Sequence, residues 1–165
     1  MNYFELYQIP VSFQPDLLAV KKRFYQLSRE YHPDFFSNES AEEKDRVLSL
    51  SAMVNKAYQV FQDPSAIIKY VLQLKGLLEE EEKYQLSPNF LMEVMDLNEQ
   101  LMDATDAYEK SQVSTSLKML QSAIYEPIAT LISNYQEGIT TQKELLQVKE
   151  YYYQKKYLDR ILAEY

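Results

Sequence analysis

"DLLAVKKRFYQLSREYHPDFF", residues 16–36, reads as a helix followed by an enforced stop. Leu17, Val20, Phe24, Leu27 and Tyr31 recur at helical spacing and predict one core-facing stripe from Asp16 to Tyr31. His32 precedes Pro33, which biases it out of the α region, so the helix ends there. Opposite the stripe lie Lys22, Tyr25, Gln26 and Arg29, with Lys21 and Arg23 on the flanks, which makes a basic face. Downstream, Ser40 and Glu43 have the spacing of a capping box, and Val47, Leu50, Val54, Ala57, Tyr58 and Phe61 form a second stripe. Two helices joined by a loop of about eight residues predict an antiparallel hairpin.

The flanking sequence supplies further helices. Asn2 and Glu5 suggest a capping box for a short opening helix that Pro10 closes. Asp63 and Pro64 end the hairpin and start "SAIIKYVLQLK", which Gly76 terminates. The run "EEEE", residues 79–82, repels itself and buries nothing, so it reads as a junction. Ser87 and Pro88 open a long helix expected to reach about Lys110, followed by one over roughly 112–136 that Pro127 should kink or divide. That helix carries Leu117, Leu120, Ile124, Ile128, Leu131 and Tyr135. Gly138 closes it, and Thr141 with Glu144 opens a last helix expected to run to the C-terminus. The expected architecture is all-α: residues 1–75 as one domain, 76–86 as linker, and 87–165 as a three-helix bundle.

Composition narrows the function. Only two glycines occur in 165 residues, which starves the chain of hairpin turns and suits helices. Without cysteine, and with His32 as the only histidine, neither disulfides nor thiolate or imidazole metal clusters can form, and no metal or cofactor is expected. Nothing approaches the roughly 18 apolar residues of a membrane span, and the N-terminus lacks signal-peptide or presequence character, so a cytoplasmic protein with no membrane partner is expected. Residues 1–75 carry nine basic and nine acidic side chains, whereas 76–165 carry eight and sixteen. An acidic excess of this kind argues against nucleic acid as a ligand, since tracking phosphates needs a basic face.

The lone His32-Pro33-Asp34 admits three readings. His32 could be a general base oriented by Asp34, but one hairpin loop offers neither nucleophile nor substrate pocket. His32 could merely end a helix while Asp34 shapes a turn. Proline also stiffens the loop, and a carboxylate held on a stiff loop beside a basic face suits docking to an acidic partner that presents an arginine.

"YFELYQIP", the basic helix ending in "YHPD", and "NKAYQVFQDP" resemble, in order and spacing over residues 1 to 75, a J-domain, the module by which DnaJ-type co-chaperones engage a DnaK-type chaperone. The resemblance implies that His32, Pro33 and Asp34 stimulate the chaperone's ATPase, with Lys21, Lys22, Gln26 and Arg29 docking on it. Tyr25 and Gln26 stand where DnaJ is basic, and Phe35 replaces a basic residue.

No Gly/Phe-rich segment or zinc-binding cysteine repeat follows Gly76, so the second half should serve a specific client. In the helix from Pro88, a core stripe of Phe90, Val94, Leu97, Leu101 and Tyr108 lies within about 40°. Leu91, Met95 and Met102 lie roughly 100° to 140° from Phe90 and Met92 roughly 200° away, interleaved with Asp96 and Glu99. Leu91, Met95 and Met102 could meet the third helix or face a partner; Met92 points almost opposite the core. Flexible methionines ringed by acids suit a protein-binding surface.

"FLMEVMDLNEQL" and "KKYLDRIL", placed after a J-domain, resemble the HscB family, co-chaperones of iron-sulfur cluster biogenesis. That resemblance implies an HscA- or DnaK-type chaperone partner and a site for an IscU-type scaffold at Leu91, Met92, Met95, Asp96, Asn98, Glu99 and Tyr157. Asn98 replaces a basic residue of the bacterial pattern and Tyr157 a phenylalanine, and the zinc-binding extension of eukaryotic relatives is absent. Tyr157 lies off the local stripe of Tyr151, Leu158 and Leu162, so it is expected to be exposed. The implied function is non-enzymatic: stimulation of the chaperone's ATPase with delivery of the scaffold, or, alternatively, delivery of a different client.

Overall fold

The computed structural model describes residues 1–163, all of whose regular structure is helical. The chain divides into two compact units, Met1–Val71 and Leu72–Tyr165, so the division falls near the end of the fourth helix. The first unit contains α1 (Tyr3–Tyr7), α2 (Leu17–Glu30), α3 (Ala41–Gln62) and most of α4 (Pro64–Leu74). The second contains α5 (Pro88–Asp103), α6 (Ala107–Tyr125), α7 (Ala129–Ser133) and α8 (Gln142–Leu162). The last helix therefore starts as expected, while Glu164 and Tyr165 lie outside the described residues.

In the first unit α2 and α3 pack along one another as a hairpin, with α1 laid across both. Val20 and Leu27 of α2 and Val47, Val54, Ala57 and Phe61 of α3 are buried, as their spacing predicts. Leu17, placed on the same stripe, is instead 58% exposed at the first helical position, one turn before the first buried residue, Val20. Asp16 caps α2, accepting from the amides of Leu18 and Ala19. Asn2 and Glu5 form the full capping box of α1. That helix is closed by Gln8, in the left-handed conformation at φ 54°, before Pro10 is reached. Ser40 accepts from the Glu43 amide, but Glu43 does not complete a box; its carboxylate takes a two-pronged hydrogen bond from Arg46 at 2.6 and 3.0 Å. The Arg46 guanidinium holds the Glu43 carboxyl below the usual carboxylate range.

Aromatic packing joins the elements. The Tyr7 ring meets Phe61 edge-on at 5.0 Å, and its hydroxyl donates to the Val54 carbonyl at 2.7 Å inside the core. Arg23 donates from α2 to the Tyr7 carbonyl at 3.1 Å, so one tyrosine links three helices. Replacing Tyr7 with Phe removes this second bond to the Val54 carbonyl, which keeps its helical donor, while preserving ring packing. We expect a loss of about 0.5 to 1.5 kcal/mol in urea unfolding, with unchanged circular dichroism before the transition.

The second unit is a bundle of α5, α6 and α8 around Phe90, Val94, Leu120 and Leu158, with Leu97, Leu117, Ile124, Ile161 and Leu162 packed on that centre. Two sequence expectations shift here. Helix α5 stops at Asp103 rather than near Lys110, because Asp106 caps a new helix by accepting from the Glu109 amide at 2.7 Å. The Glu109 carboxylate reaches back to the Thr105 amide at 2.9 Å, which holds the break. Tyr108, assigned to the α5 core stripe, thus lies in the first turn of α6 and is 72% exposed. Pro127 divides the next helix as expected: α6 gives way to a 3-10 turn over Glu126–Ile128 before α7. Ser87 and Pro88 open α5, and Thr141 with Glu144 makes the predicted capping box of α8.

The segment 76–86 contains no helix, yet it is fastened to α8. Of the four consecutive glutamates, Glu82 is half-buried and accepts from Lys149 Nζ at 2.7 Å and from the Tyr153 hydroxyl at 2.9 Å. Tyr84 then stacks on Tyr153, centroids 4.5 Å apart and planes 6° from parallel. The hydrogen bond from Lys149 keeps the Glu82 carboxyl below the ordinary range, while burial and this carboxylate push the Tyr153 hydroxyl well up. Among the described residues no helix is long and apolar enough to cross a membrane.

Candidate functional site

The loop after α2 is ordered by its own side chains. Tyr31 ends α2, and Pro33–Phe36 form a 3-10 turn whose N-cap is His32. His32 Nδ1 accepts from the Asp34 amide at 3.3 Å, so in the neutral ring the proton lies on Nε2, which is left as a donor. Pro33, at the first position of the turn, fixes φ where no amide hydrogen is required. The Asp34 carboxylate stands 88% exposed, its Oδ2 3.7 Å from the imidazole. His32 thus caps the turn that presents Asp34.

The basic face of α2 is exposed at Lys21, Lys22, Tyr25, Gln26 and Arg29. Its residues are partly tied to the helix: Arg23 donates to Gln26 Oε1 at 2.8 Å, and Arg29 Nε reaches the Tyr25 carbonyl at 3.4 Å. Gln26 is therefore oriented by a neighbouring cation. Phe35, for which the sequence suggests no role, is 73% exposed and lies edge-on to His32 at 6.0 Å.

The structure divides the seven residues of the second set, six on α5 and Tyr157 on α8. Met92 and Met95 are each 62% exposed, and Met102, about two turns further on, is 65% exposed. Neither Met95 nor Met102 is used to meet the third helix, and Glu99 and Asp96 are exposed beside them. Leu91 is half-buried. Asp96 lies toward α6, lining a groove with Met119, a 68% exposed methionine whose participation only the folded arrangement reveals. Asn98 turns the other way, among Leu158, Ile161 and Leu162 of α8, and its Oδ1 is buried with no hydrogen-bond partner among the described residues. Tyr157 is half-buried rather than exposed: its ring meets Phe90 edge-on at 6.4 Å and carries the Arg160 guanidinium 5.2 Å from its centroid. Its position off the Tyr151 stripe is accounted for by packing against the foot of α5.

Among the described residues no cluster of three or more histidine or acidic side chains could hold a metal ion. The exposed features instead pair a carboxylate on an ordered turn with a basic helix face in one unit and a methionine face with acidic neighbours in the other.

Comparison with known proteins gives these features a context. Residues 86–165 match a family model described as the HSCB C-terminal oligomerisation domain. The chain is 32% identical over 143 residues to a co-chaperone protein HscB homolog of Vibrio parahaemolyticus, covering 84% of this chain and 82% of that one. It is 31% identical over 152 residues to the human iron-sulfur cluster co-chaperone protein HscB, covering 92% of this chain but 64% of the longer human protein. The crystal structure of human HscB superposes with a TM-score of 0.76 at 28% identity, covering 99% of this chain and 80% of that one. HscB from Vibrio cholerae gives 0.68 at 26% identity, with coverage of 99% and 96%. An N-terminal J-domain hairpin joined in one chain to this C-terminal helical domain, matched over most of both lengths, shows that the chain belongs to the HscB family of co-chaperones.

Proposed function

We propose that this protein is a two-ended adaptor that stimulates the ATPase of a DnaK- or HscA-type chaperone and delivers to it an IscU-type iron-sulfur scaffold, in support of cluster maturation. The observation that carries the reading is the Asp34 carboxylate, exposed on a 3-10 turn that Pro33 and the His32 cap hold in place. A carboxylate so presented is ready to pair with an arginine of the chaperone without first being ordered. His32, Pro33 and Asp34 supply the trigger, and Lys21, Lys22, Gln26 and Arg29 supply the steering face. The chain itself performs no bond chemistry in this scheme; hydrolysis belongs to the chaperone, which closes on the client just delivered.

The scaffold docks on the α5 face through Met92, Met95 and Glu99, with Leu91, Asp96, Asn98 and Tyr157 at its margins. The iron-sulfur assignment is supported by the human relative, an iron-sulfur cluster co-chaperone protein. A second reading, delivery of another client, is favoured by the inward turn of Asn98 and the partial burial of Tyr157, which withdraw two expected contacts from the surface. Capture from native lysate on the immobilised chain separates the two. We expect recovery of a cluster scaffold together with a DnaK-type chaperone; a different client with the same chaperone overturns the scaffold half alone.

A further inference from the structure

The second unit also holds a cleft of about 580 Å³ between segment 82–86 and α8, with Tyr84, Tyr153, Tyr157, Lys83, Lys156 and Arg160 in its lining. Its walls are built before any ligand arrives. Glu82 is locked to Lys149 and Tyr153, and the Tyr84–Tyr153 stack pins the extended segment to the helix. A preformed cleft spends little conformational entropy on binding.

The charge in this cleft runs against its surroundings. The second half of the chain has twice as many acids as bases, yet the two acids lining the cleft are already matched, Glu82 by Lys149 and Asp159 by Lys155 at 2.6 Å. Glu150 lies outside the lining, close enough to Tyr84 that, after burial, it raises the pKa of that hydroxyl. Lys83, Lys156 and Arg160 have no carboxylate within ion-pair distance among the described residues. Two of these cations are held over rings: Arg160 lies 5.2 Å from the Tyr157 centroid and Lys156 6.0 Å from that of Tyr152. Unmatched cations among tyrosine faces select an anion that carries flat or apolar groups. Arg160 offers a planar fork to a carboxylate, and the tyrosines offer stacking surfaces.

Tyr157, assigned above to the margin of the scaffold-binding face, also lines this cleft, its ring packed edge-on against the core residue Phe90 at the start of α5. We infer that the cleft is a second binding site, taking an extended acidic segment with an aromatic or aliphatic residue from the same protein that docks on α5. The inference rests on the scaffold reading and adds to it a charge-selective contact with the opposite polarity to the acidic methionine face.

The test is calorimetric titration of the full-length chain with an IscU-type scaffold at low and at high salt. Three forms are compared: wild type, Lys83→Glu with Lys156→Glu, and Met92→Ala with Met95→Ala. Neither lysine supports the Glu82 fastener, and circular dichroism checks that the fold is retained. We expect the charge-reversed form to bind roughly tenfold more weakly at low salt and to lose most of the salt dependence. Lys83→Gln with Lys156→Gln should show a smaller loss in the same direction. The methionine form should bind weakly at both salts and keep the wild-type salt dependence. Wild-type affinity and salt dependence in the charge-reversed form, beside a weakened methionine form, overturns the cleft and leaves the scaffold reading standing. Wild-type binding by both variants overturns both.

Discussion

Asp34→Asn is expected to lower stimulation of the chaperone's ATPase by roughly a hundredfold, while scaffold affinity and thermal unfolding stay at wild-type values. The substitution keeps size and backbone preferences but removes the charge. Within the free protein little is at stake, because the carboxylate is 88% exposed and makes no contact that the fold requires. In the complex the cost is large: an arginine desolvated to meet a carboxylate would face a neutral amide, leaving one half of a buried pair uncompensated. A single-turnover assay, with chaperone preloaded with ATP and the adaptor variant added, isolates hydrolysis from nucleotide exchange. Normal stimulation by the Asn variant would show that the turn acts through shape alone.

Met92→Ala combined with Met95→Ala is the second change of large expected effect. Each methionine projects most of its side chain into solvent in the free protein, so truncation removes little packing and should leave stability nearly unchanged. If the scaffold covers this face, both side chains become buried on binding, and their loss removes about 2 to 3 kcal/mol, or a roughly thirty- to 150-fold rise in Kd. Calorimetry measures the change, with ATPase stimulation in the absence of scaffold as an internal control that should not move. An unchanged Kd would mean that these methionines are idle surface.

The J-domain half was largely legible because its signals are local. Proline after histidine, the Asn2 and Glu5 box, and period-3.6 stripes each depend on neighbours within a turn or two, and these placed α1 to α4. Where that half departed from expectation, a competing local bond decided: Glu43 faces both the Ser40 amide and Arg46, and the guanidinium wins. The misplaced end of α5 was also a local matter. Asp106 and Glu109 have capping-box spacing, but the apolar positions continue in phase through Tyr108, so periodicity hid the break.

The candidate surfaces were legible to different degrees. Exposure of Met92 follows from helical phase alone, since it points nearly opposite Phe90. Tyr157 could not be placed that way, because its burial depends on Phe90 from another helix and on Arg160 across its face. The role of Glu82 was equally invisible, as one of four identical residues in a run is chosen only by the distant Lys149 and Tyr153. Pairings across 67 and 71 residues of chain leave no trace in local pattern.

The His32 cap has a kinetic consequence. A loop that is already a turn before its partner arrives has no folding step to complete in the encounter complex. Capture should then proceed at a rate governed by diffusion and by attraction between the lysine-rich face of α2 and an acidic chaperone surface, and should slow as ionic strength rises. The adaptor would thus meet its ATPase quickly and rigidly, and the lifetime of the complex, rather than its formation, would decide how long the client is held for transfer.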